Sequence, residues 1–568
     1  MSTSELGSFV PDDPLAPFTA VKLTNRHRLG TQGRYDTLIP PLTHVVNLSG
    51  HSLVYTKALA RKAPPMSSSK HSNELRRLAL SVLQPGFVGT EAPDWVLRDI
   101  ADGLASVVLF SRNIVSPEQV ARLTARLRAE NPALVIAIDE EAGDVTRIES
   151  ATGSTRPGNL ALGTVDDTAL TGAVAADLGR QLHAAGVSLD YAPSSDVNSN
   201  PDNPVIGVRA FGADPEVVSR HTGAWIRGLH SAGVAACAKH FPGHGDVAVD
   251  SHHDLPVYGA GREEIADRAL PPFRAALEAG VRAVMSGHLL VPAYDPGLPA
   301  TLSRRILHDL LRQELGFDGL IVSDAIEMGA VSGPHGIGGA AVKAVAAGVD
   351  AICVGGESAE ESTARLLTDA LADAVVSGDL AEERLAEAAV RVREFADWSA
   401  GLRRAASGDP ADDGIGFVAA RRALRLAGAV RDALPLTAPP HVVELVPATN
   451  LAIAKETPWG VADPLRARLP GTTSVRVRPQ DLDAPDAVLE TRALAPAAGR
   501  PLVVVTRDAP RHAWMSRALA DLTTARPDAI VVEMGLPGST APGAVQIFTH
   551  GASTASGVAA AEVLAGVR

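Results

Sequence analysis

Between residues 74 and 360 the hydrophobic positions fall into short bursts: ASVVLF (105–110), ALVIAID (133–139), VSLDYAP (187–193), VAACAKH (234–240), RAVMSGH (282–288), GLIVSDA (319–325) and VDAICVGG (349–356). Each reads as a buried strand, and each gives way to helix-forming sequence. Strands that alternate with helices build a parallel sheet, and the repeat over about 290 residues suits one (β/α)8-type TIM-like barrel better than two doubly wound domains.

Polar residues gather at one end of this repeat. Arg112 and Asn113, Asp139, Asp196, Lys239 and His240, His288 and Asp324 all stand at or just past the C-terminal end of a burst, and in a barrel those ends converge on the face that carries the active site. The densest stretch is AKHFPGHGDVAVDSHHDLP, from Ala238 to Pro256. It packs His240, His244, His252 and His253 into fourteen residues, in a chain with 17 histidines among 568 residues. Its Pro-Gly and Gly-containing part predicts an irregular loop leaving a strand end.

Outside the repeat the pattern changes. Residues 1–65 lack clean periodicity and contain Pro40-Pro41 and Pro64-Pro65; they are expected to be disordered or a mis-annotated extension, with Met66 as the alternative start. Organised sequence begins with Asn73 as a cap before ELRRLALSVL. Ala- and Arg-rich helical sequence fills Glu360 to Trp398, and ASGDPADDGIG (406–416) reads as a linker. After it, HVVELVP (441–447), SVRVRP (474–479), PLVVVTR (501–507), AIVVEMG (529–535) and QIFTHG (546–551) predict a second, smaller α/β sandwich domain. The expected division is therefore an extension over 1–65, a catalytic barrel over 66–400, a linker over 401–416 and an α/β sandwich over 417–568.

Composition narrows the function classes. A 46% hydrophobic chain of this length can build large cores. Its 52 basic and 65 acidic residues give a formal charge of -13, with no long basic run, so neither nucleic acid nor an anionic membrane is an expected partner. No stretch is long and apolar enough for a membrane helix, and no secretory leader is legible at the N-terminus; a cytoplasmic location is the expectation. Cys237 and Cys353 lie inside apolar bursts and are expected to be buried free thiols.

The motifs LFSRN (109–113), IDEEAGDVTRI (138–148), PGNLALG (157–163), LDYAPSSDVNSNPDNPVIGVRAFG (189–212), the His-rich stretch, and GFDGLIVSDAIEMGAV (316–331) occur in this order. Together they resemble glycoside hydrolase family 3, and within it the bacterial β-N-acetylglucosaminidases that act on cell-wall sugars. The resemblance implies a retaining enzyme with a small carbohydrate substrate and no cofactor or metal. It implies Asp324 as nucleophile, His252 with Asp250 as a mobile-loop acid/base dyad, and Asp139, Arg147, Arg209, Lys239 and His240 as sugar-binding residues. Two positions depart from the family pattern. Ala142 stands where Gly is usual, and Asp144 stands where Arg is common, a charge reversal expected near the pocket with consequences for aglycone preference.

The residue chemistry supports these roles independently. A retaining glycosidase needs one carboxylate to attack the anomeric carbon and a second group to protonate the leaving oxygen and then activate water. Asp324 ends the strand LIVS, a rigid mount. His252 lies two residues from Asp250, so an extended backbone points both side chains the same way, and the carboxylate can orient the imidazole. The plainer alternatives are a turn shaped by Asp250 and Ser251, and a buried Lys239 serving as an ion-pair partner.

Three rival functions remain open. His240, His244, Asp246, Asp250, His252 and His253 carry metal-ligating groups, although spacing such as H-E-x-x-H is absent. A sugar-binding protein without activity would have no reason to keep both Asp324 and the dyad. Finally, a histidine acid/base becomes neutral after protonating the leaving group, which leaves the glycosyl-enzyme open to an anionic acceptor. Phosphorolysis would use the same residues. The oligomeric state is not legible.

Overall fold

The computed structural model describes residues 71–249, 255–406, 414–447, 453, 457–482, 488–538 and 543–566, together with the backbone of two short strands nearer the N-terminus. Those strands, His44–Leu48 and His51–Tyr55, pair antiparallel. Otherwise the expectation for residues 1–65 lies outside the described residues, as do residues 407–413 of the expected linker, whose first five residues, 401–405, instead belong to helix Glu382–Ala405.

Eight parallel strands form the barrel: β1 (Leu83–Pro85), β2 (Ser106–Leu109), β3 (Val135–Ile138), β4 (Leu189–Asp190), β5 (Ala235–Phe241), β6 (Ala283–Ser286), β7 (Leu320–Ser323) and β8 (Ile352–Val354). Strands β2 to β7 pair in sequence order. Closure comes from β8, which pairs in parallel with β1. Val322 bridges Ala351 on one side of that pair, and Ser106 Oγ donates to the Leu83 carbonyl at 3.1 Å on the other.

The two-residue alternation of strands sorts the core into two compartments. Val108, Ala137, Leu189, Cys237, Ala283, Val322 and Cys353 pack together inside the barrel. Their neighbours Val107, Leu109, Ile136, Ile138, Ala238, Val284 and Ile321 pack outward against the helices. Both cysteines are free and buried, as expected. Helix Glu382–Ala405 adds Val392, Phe395 and Ala396 to the inner cluster. It runs beneath the N-terminal ends of the strands, donating from Arg403 to the Val187 carbonyl and from Arg391 to the Asp318 carbonyl.

Two details differ from the sequence expectation. The first helix, Asn73–Ser81, is capped by Ser72, whose hydroxyl accepts from the Leu75 N–H at 3.1 Å, so Asn73 is its first residue and not its cap. Strand β1, LQP, emerges directly from that helix and was not among the expected strands.

The C-terminal region forms one six-stranded sheet. Its strands are β9 (Arg425–Gly428), β10 (His441–Leu445), β11 (Thr473–Val477), β12 (Leu502–Thr506), β13 (Ile530–Glu533) and β14 (Val545–Phe548), in the order β9-β14-β13-β12-β10-β11. All neighbours are parallel except β9, an antiparallel edge strand on β14. One apolar cluster covers each face of the sheet. This region meets the barrel through apolar and polar contacts: Ala419 joins the barrel's outer apolar cluster, Thr554 Oγ1 donates to the Thr152 carbonyl at 2.8 Å, and Arg425 Nη2 donates to the Thr164 carbonyl at 2.6 Å. Among the described residues no helix is long and apolar enough to cross a membrane.

Candidate active site

At the C-terminal ends of the strands lies a cavity of about 380 Å³, and Asp139, Arg147, Arg209, Lys239, His240 and Asp324 all line it. Six residues expected to act together, from four separate motifs of the chain, therefore share one space. Asp250 and His252 lie outside the described residues.

The floor is a lattice of alternating charges. Lys239, near the end of β5, is buried at 2% side-chain exposure and donates to Asp139 Oδ1 at 2.7 Å and to Glu141 Oε1 at 2.6 Å. An ammonium has three N–H bonds, so one remains. Arg209 grips the same Glu141 through two bonds, Nε to Oε2 at 2.9 Å and Nη2 to Oε1 at 2.7 Å, while its Nη1 donates to the Val205 carbonyl. Burial by itself would raise the Glu141 carboxyl, but Arg209 and then Lys239 outweigh it and hold the group well below the usual carboxylate range. Burial would likewise lower Lys239, and Asp139 and Glu141 reverse that, leaving the ammonium firmly charged.

His240 continues the lattice. Its Nδ1 lies 2.7 Å from Asp196 Oδ2, and its backbone N–H and that of His244 both reach Asp196 Oδ1, at 3.3 and 2.6 Å. Asp196 is wholly buried. Burial acts to raise its carboxyl, yet His240 and the hydrogen bonds pull it below its ordinary value. His240 Nε2 faces Arg209 Nη2 at 3.5 Å. Each polar group is thus held by another before any sugar arrives, the preorganisation a binding site of this kind requires.

Glu141 and Arg147 reach the cavity because the chain folds back just past β3. Glu141 N–H donates to the Val145 carbonyl at 3.0 Å, across a turn in which Ala142 and Gly143 both have left-handed φ, +62° and +61°. Gly143 is required there, since a Cβ would sit 2.4 Å from Gly158 Cα; Ala142 adopts the same region with a side chain, a conformation that costs roughly 1–2 kcal/mol. Beneath the turn, buried Glu140 accepts from the Arg147 and Ile148 N–H groups at 2.7 and 2.8 Å and so fixes where Arg147 begins. Burial pushes the Glu140 carboxyl up to about 7.

Asp144 does not line the cavity. The charge reversal noted in the sequence turns away from it, toward the C-terminal region, where Asp144 accepts from Arg507 Nη2 at 2.5 Å and from the Ala552 N–H at 2.7 Å. Both side chains are buried, at 6% exposure for Arg507 and 2% for Asp144. The expected consequence for aglycone contact is corrected accordingly: this aspartate is a docking residue between the two sheets' domains.

Asp324 follows β7 directly. Its N–H donates to the Ser286 carbonyl at 3.1 Å, and its Oδ1 accepts from the Ala325 N–H at 2.8 Å. His288, past the end of β6, fixes the next residue by donating from Nε2 to the Ala325 carbonyl at 3.0 Å. Arg112 ties the ends of the closing strands together through the carbonyls of Phe87, Gly355 and Gly356. Of the metal-ligating alternative, Asp246 accepts from Ser199 while His240 is engaged by Asp196. No group of three such side chains among the described residues converges to hold an ion.

The lattice residues Glu141 and Asp196 were not among the expected site residues. Asp196 was visible as a strand-end acid and Glu141 as part of IDEEAG, but their partners come from distant parts of the chain.

Comparison with known proteins agrees with this architecture. Residues 90–395 match the model of the glycosyl hydrolase family 3 N-terminal domain, and the chain belongs to that family: it is a glycoside hydrolase. Within the family it is of the β-N-acetylhexosaminidase type. It is 39% identical over 278 residues to a β-hexosaminidase of Stenotrophomonas maltophilia (strain K279a), covering 47% of this chain and 80% of that protein. It is 33% identical over 318 residues to β-hexosaminidase A of Pseudoalteromonas piscicida, and there it spans about half of the relative, 53%, and 51% of itself. The solved structure of a glycoside hydrolase family 3 β-N-acetylglucosaminidase from Paenibacillus sp. str. FPU-7 superposes with a TM-score of 0.75 at 32% identity, over 87% of this chain and 96% of that one. Barrel and C-terminal sandwich are thus both shared.

Proposed function

We propose that this enzyme releases terminal β-linked N-acetylglucosamine from cell-wall or chitin-derived fragments in the cytoplasm, with retention, through a covalent glycosyl-Asp324 intermediate. The observation that carries the reading is the placement of Asp324 on a strand end at the cavity lined by Asp139, Lys239 and Arg209. A carboxylate anchored by its own backbone can attack an anomeric carbon held over it. The remaining Lys239 N–H and the carboxylate oxygens of Asp139 suit sugar hydroxyls, which both donate and accept. The names of its relatives support the sugar.

His252, oriented by Asp250, is proposed to protonate the leaving oxygen and then to take a proton from the incoming water. Water is the proposed acceptor. The cavity cations Lys239 and Arg209 are already paired with Asp139 and Glu141, so they attract a phosphate acceptor less than free charges would.

The test is to trap the intermediate. A slow fluorinated N-acetylglucosaminyl substrate followed by peptide mass mapping is expected to label Asp324. Label on any other carboxylate, or sugar phosphate as the main product in millimolar phosphate, would reject the scheme.

A further inference from the structure

At the other end of the barrel from the candidate active site, beneath β3 and β4, lies a cavity of about 280 Å³ that the proposed reaction does not use. Its charged lining is entirely basic: Arg128, His183, Arg403 and Arg404. In a chain of formal charge -13, a pocket with three guanidinium groups and no carboxylate calls for a physical cause.

Two of the arginines are partly accounted for. Arg128 Nη1 donates to the Gly186 carbonyl at 2.5 Å, and Arg403 Nη1 donates to the Val187 carbonyl at 3.2 Å. These carbonyls follow the C-terminus of helix Thr168–Ala184, where cations are favoured. The remainder is uncompensated. Arg128 Nη2 and His183 Nδ1 are buried without a hydrogen-bond partner, a costly state for polar groups. Burial, and then the like charge of Arg403, lowers the Arg128 guanidinium to about 10. Burial and the same arginine lower His183, with Arg128 adding to the effect. A bound anion would pair the Arg128 Nη2 donor and offset the repulsion between Arg128 and Arg403.

We propose that this cavity is a binding site for a phosphate group, free or as a small phosphate monoester, held by Arg128, Arg403 and Arg404 with His183 beside them. The planar fork of arginine matches phosphate oxygens in pairs, and three such forks around one cavity suit a tetrahedral dianion better than a carboxylate. The cavity exceeds a lone phosphate in size, leaving room for the body of a small ester. The candidate active site lies on the opposite face and its lining mixes acidic and basic side chains, whereas this cavity is lined by one sign of charge.

Isothermal titration of the full-length protein with inorganic phosphate and with glucose 6-phosphate tests this. Saturable binding is expected, weakened about tenfold or more in Arg403→Gln and in Arg404→Gln, since each loses a charge-assisted contact. Arg404 is exposed, so its variant keeps the fold even where Arg403→Gln does not. Tighter binding of the ester identifies a phosphorylated metabolite as the ligand, and equal affinity identifies the free ion; both uphold the site. Absence of binding by either probe, or unchanged affinity in the Arg404→Gln protein, overturns it.

Discussion

Replacing Arg507 with leucine isolates what the C-terminal sandwich does for the barrel. The substitution leaves Asp144 at 2% exposure with the Ala552 N–H donating to it. Stranding one charge of a buried pair costs about 3–5 kcal/mol. Arg507 also lies over the Trp459 ring at 5.7 Å, a contact worth roughly 0.5–2 kcal/mol, so the single variant overstates the pair. Asp144→Asn with Arg507→Leu corrects this, because a neutral amide in place of the stranded carboxylate recovers most of the ion-pair loss while the ring contact stays lost. Urea unfolding of wild type, both single variants and the double variant gives the coupling energy, expected at about 2 kcal/mol or more for contacting buried charges. The kinetic consequence is separable. Asp144 sits in the turn between Glu141 and Arg147, so loosening it is expected to raise KM for nitrophenyl N-acetyl-β-glucosaminide more than it lowers kcat. Additive single effects, within about 0.5 kcal/mol, together with unchanged KM would refute the idea that the sandwich braces the sugar-binding turn.

Three further outcomes are expected. Asp324→Ala should reduce turnover by about a thousandfold or more while the far-ultraviolet circular dichroism stays the same, as loss of a nucleophile does; activity within about tenfold of wild type would remove Asp324 from that role. His252→Ala should cost about 10²–10⁴-fold on poor leaving groups and far less on nitrophenyl glycosides, which need little protonation; equal losses on both would count against His252 as the acid. Glu140, raised by burial from an ordinary 4.5 to about 7, binds a proton more tightly folded than unfolded, so its contribution to stability is complete below pH 4.5 and disappears as pH rises through about 7. Its full size is about 3 kcal/mol. Glu140→Gln should flatten the corresponding part of the stability-against-pH curve, and an unaltered slope between pH 5 and 8 would show that Glu140 does not cause it.

The sequence made most of the strands legible because seven barrel strands and five sandwich strands fall on apolar-rich runs, most of them buried, that are readable one at a time; β11, with only Val477 buried, is the exception in burial. The two that escaped have no such run. Strand β1 is Leu-Gln-Pro, three residues directly behind an amphipathic helix whose periodicity absorbs them. Strand β9, Arg-Leu-Ala-Gly, is a half-exposed edge within Ala- and Arg-rich sequence. At the site, Asp139, Lys239, His240 and Asp324 stood out by their position after strands. Glu141 and Asp196 gain their roles only from partners 68 and 44 residues away, a relation that no local pattern encodes. Asp144 shows the same limit in reverse: its charge was conspicuous, but the Arg507 that explains it lies in the other domain.

Asp144 and Arg507 are separated by 363 residues, so on a ribosome the first waits for the second. At ~5–20 residues per second the interval is roughly 20–70 s, and its later part begins once the closing strand β8 has been made and ends before the last two sandwich strands, β13 and β14, follow. An apolar docking surface left open for that long would invite a neighbouring nascent chain. A carboxylate such as Asp144 can stay hydrated instead until its own arginine emerges.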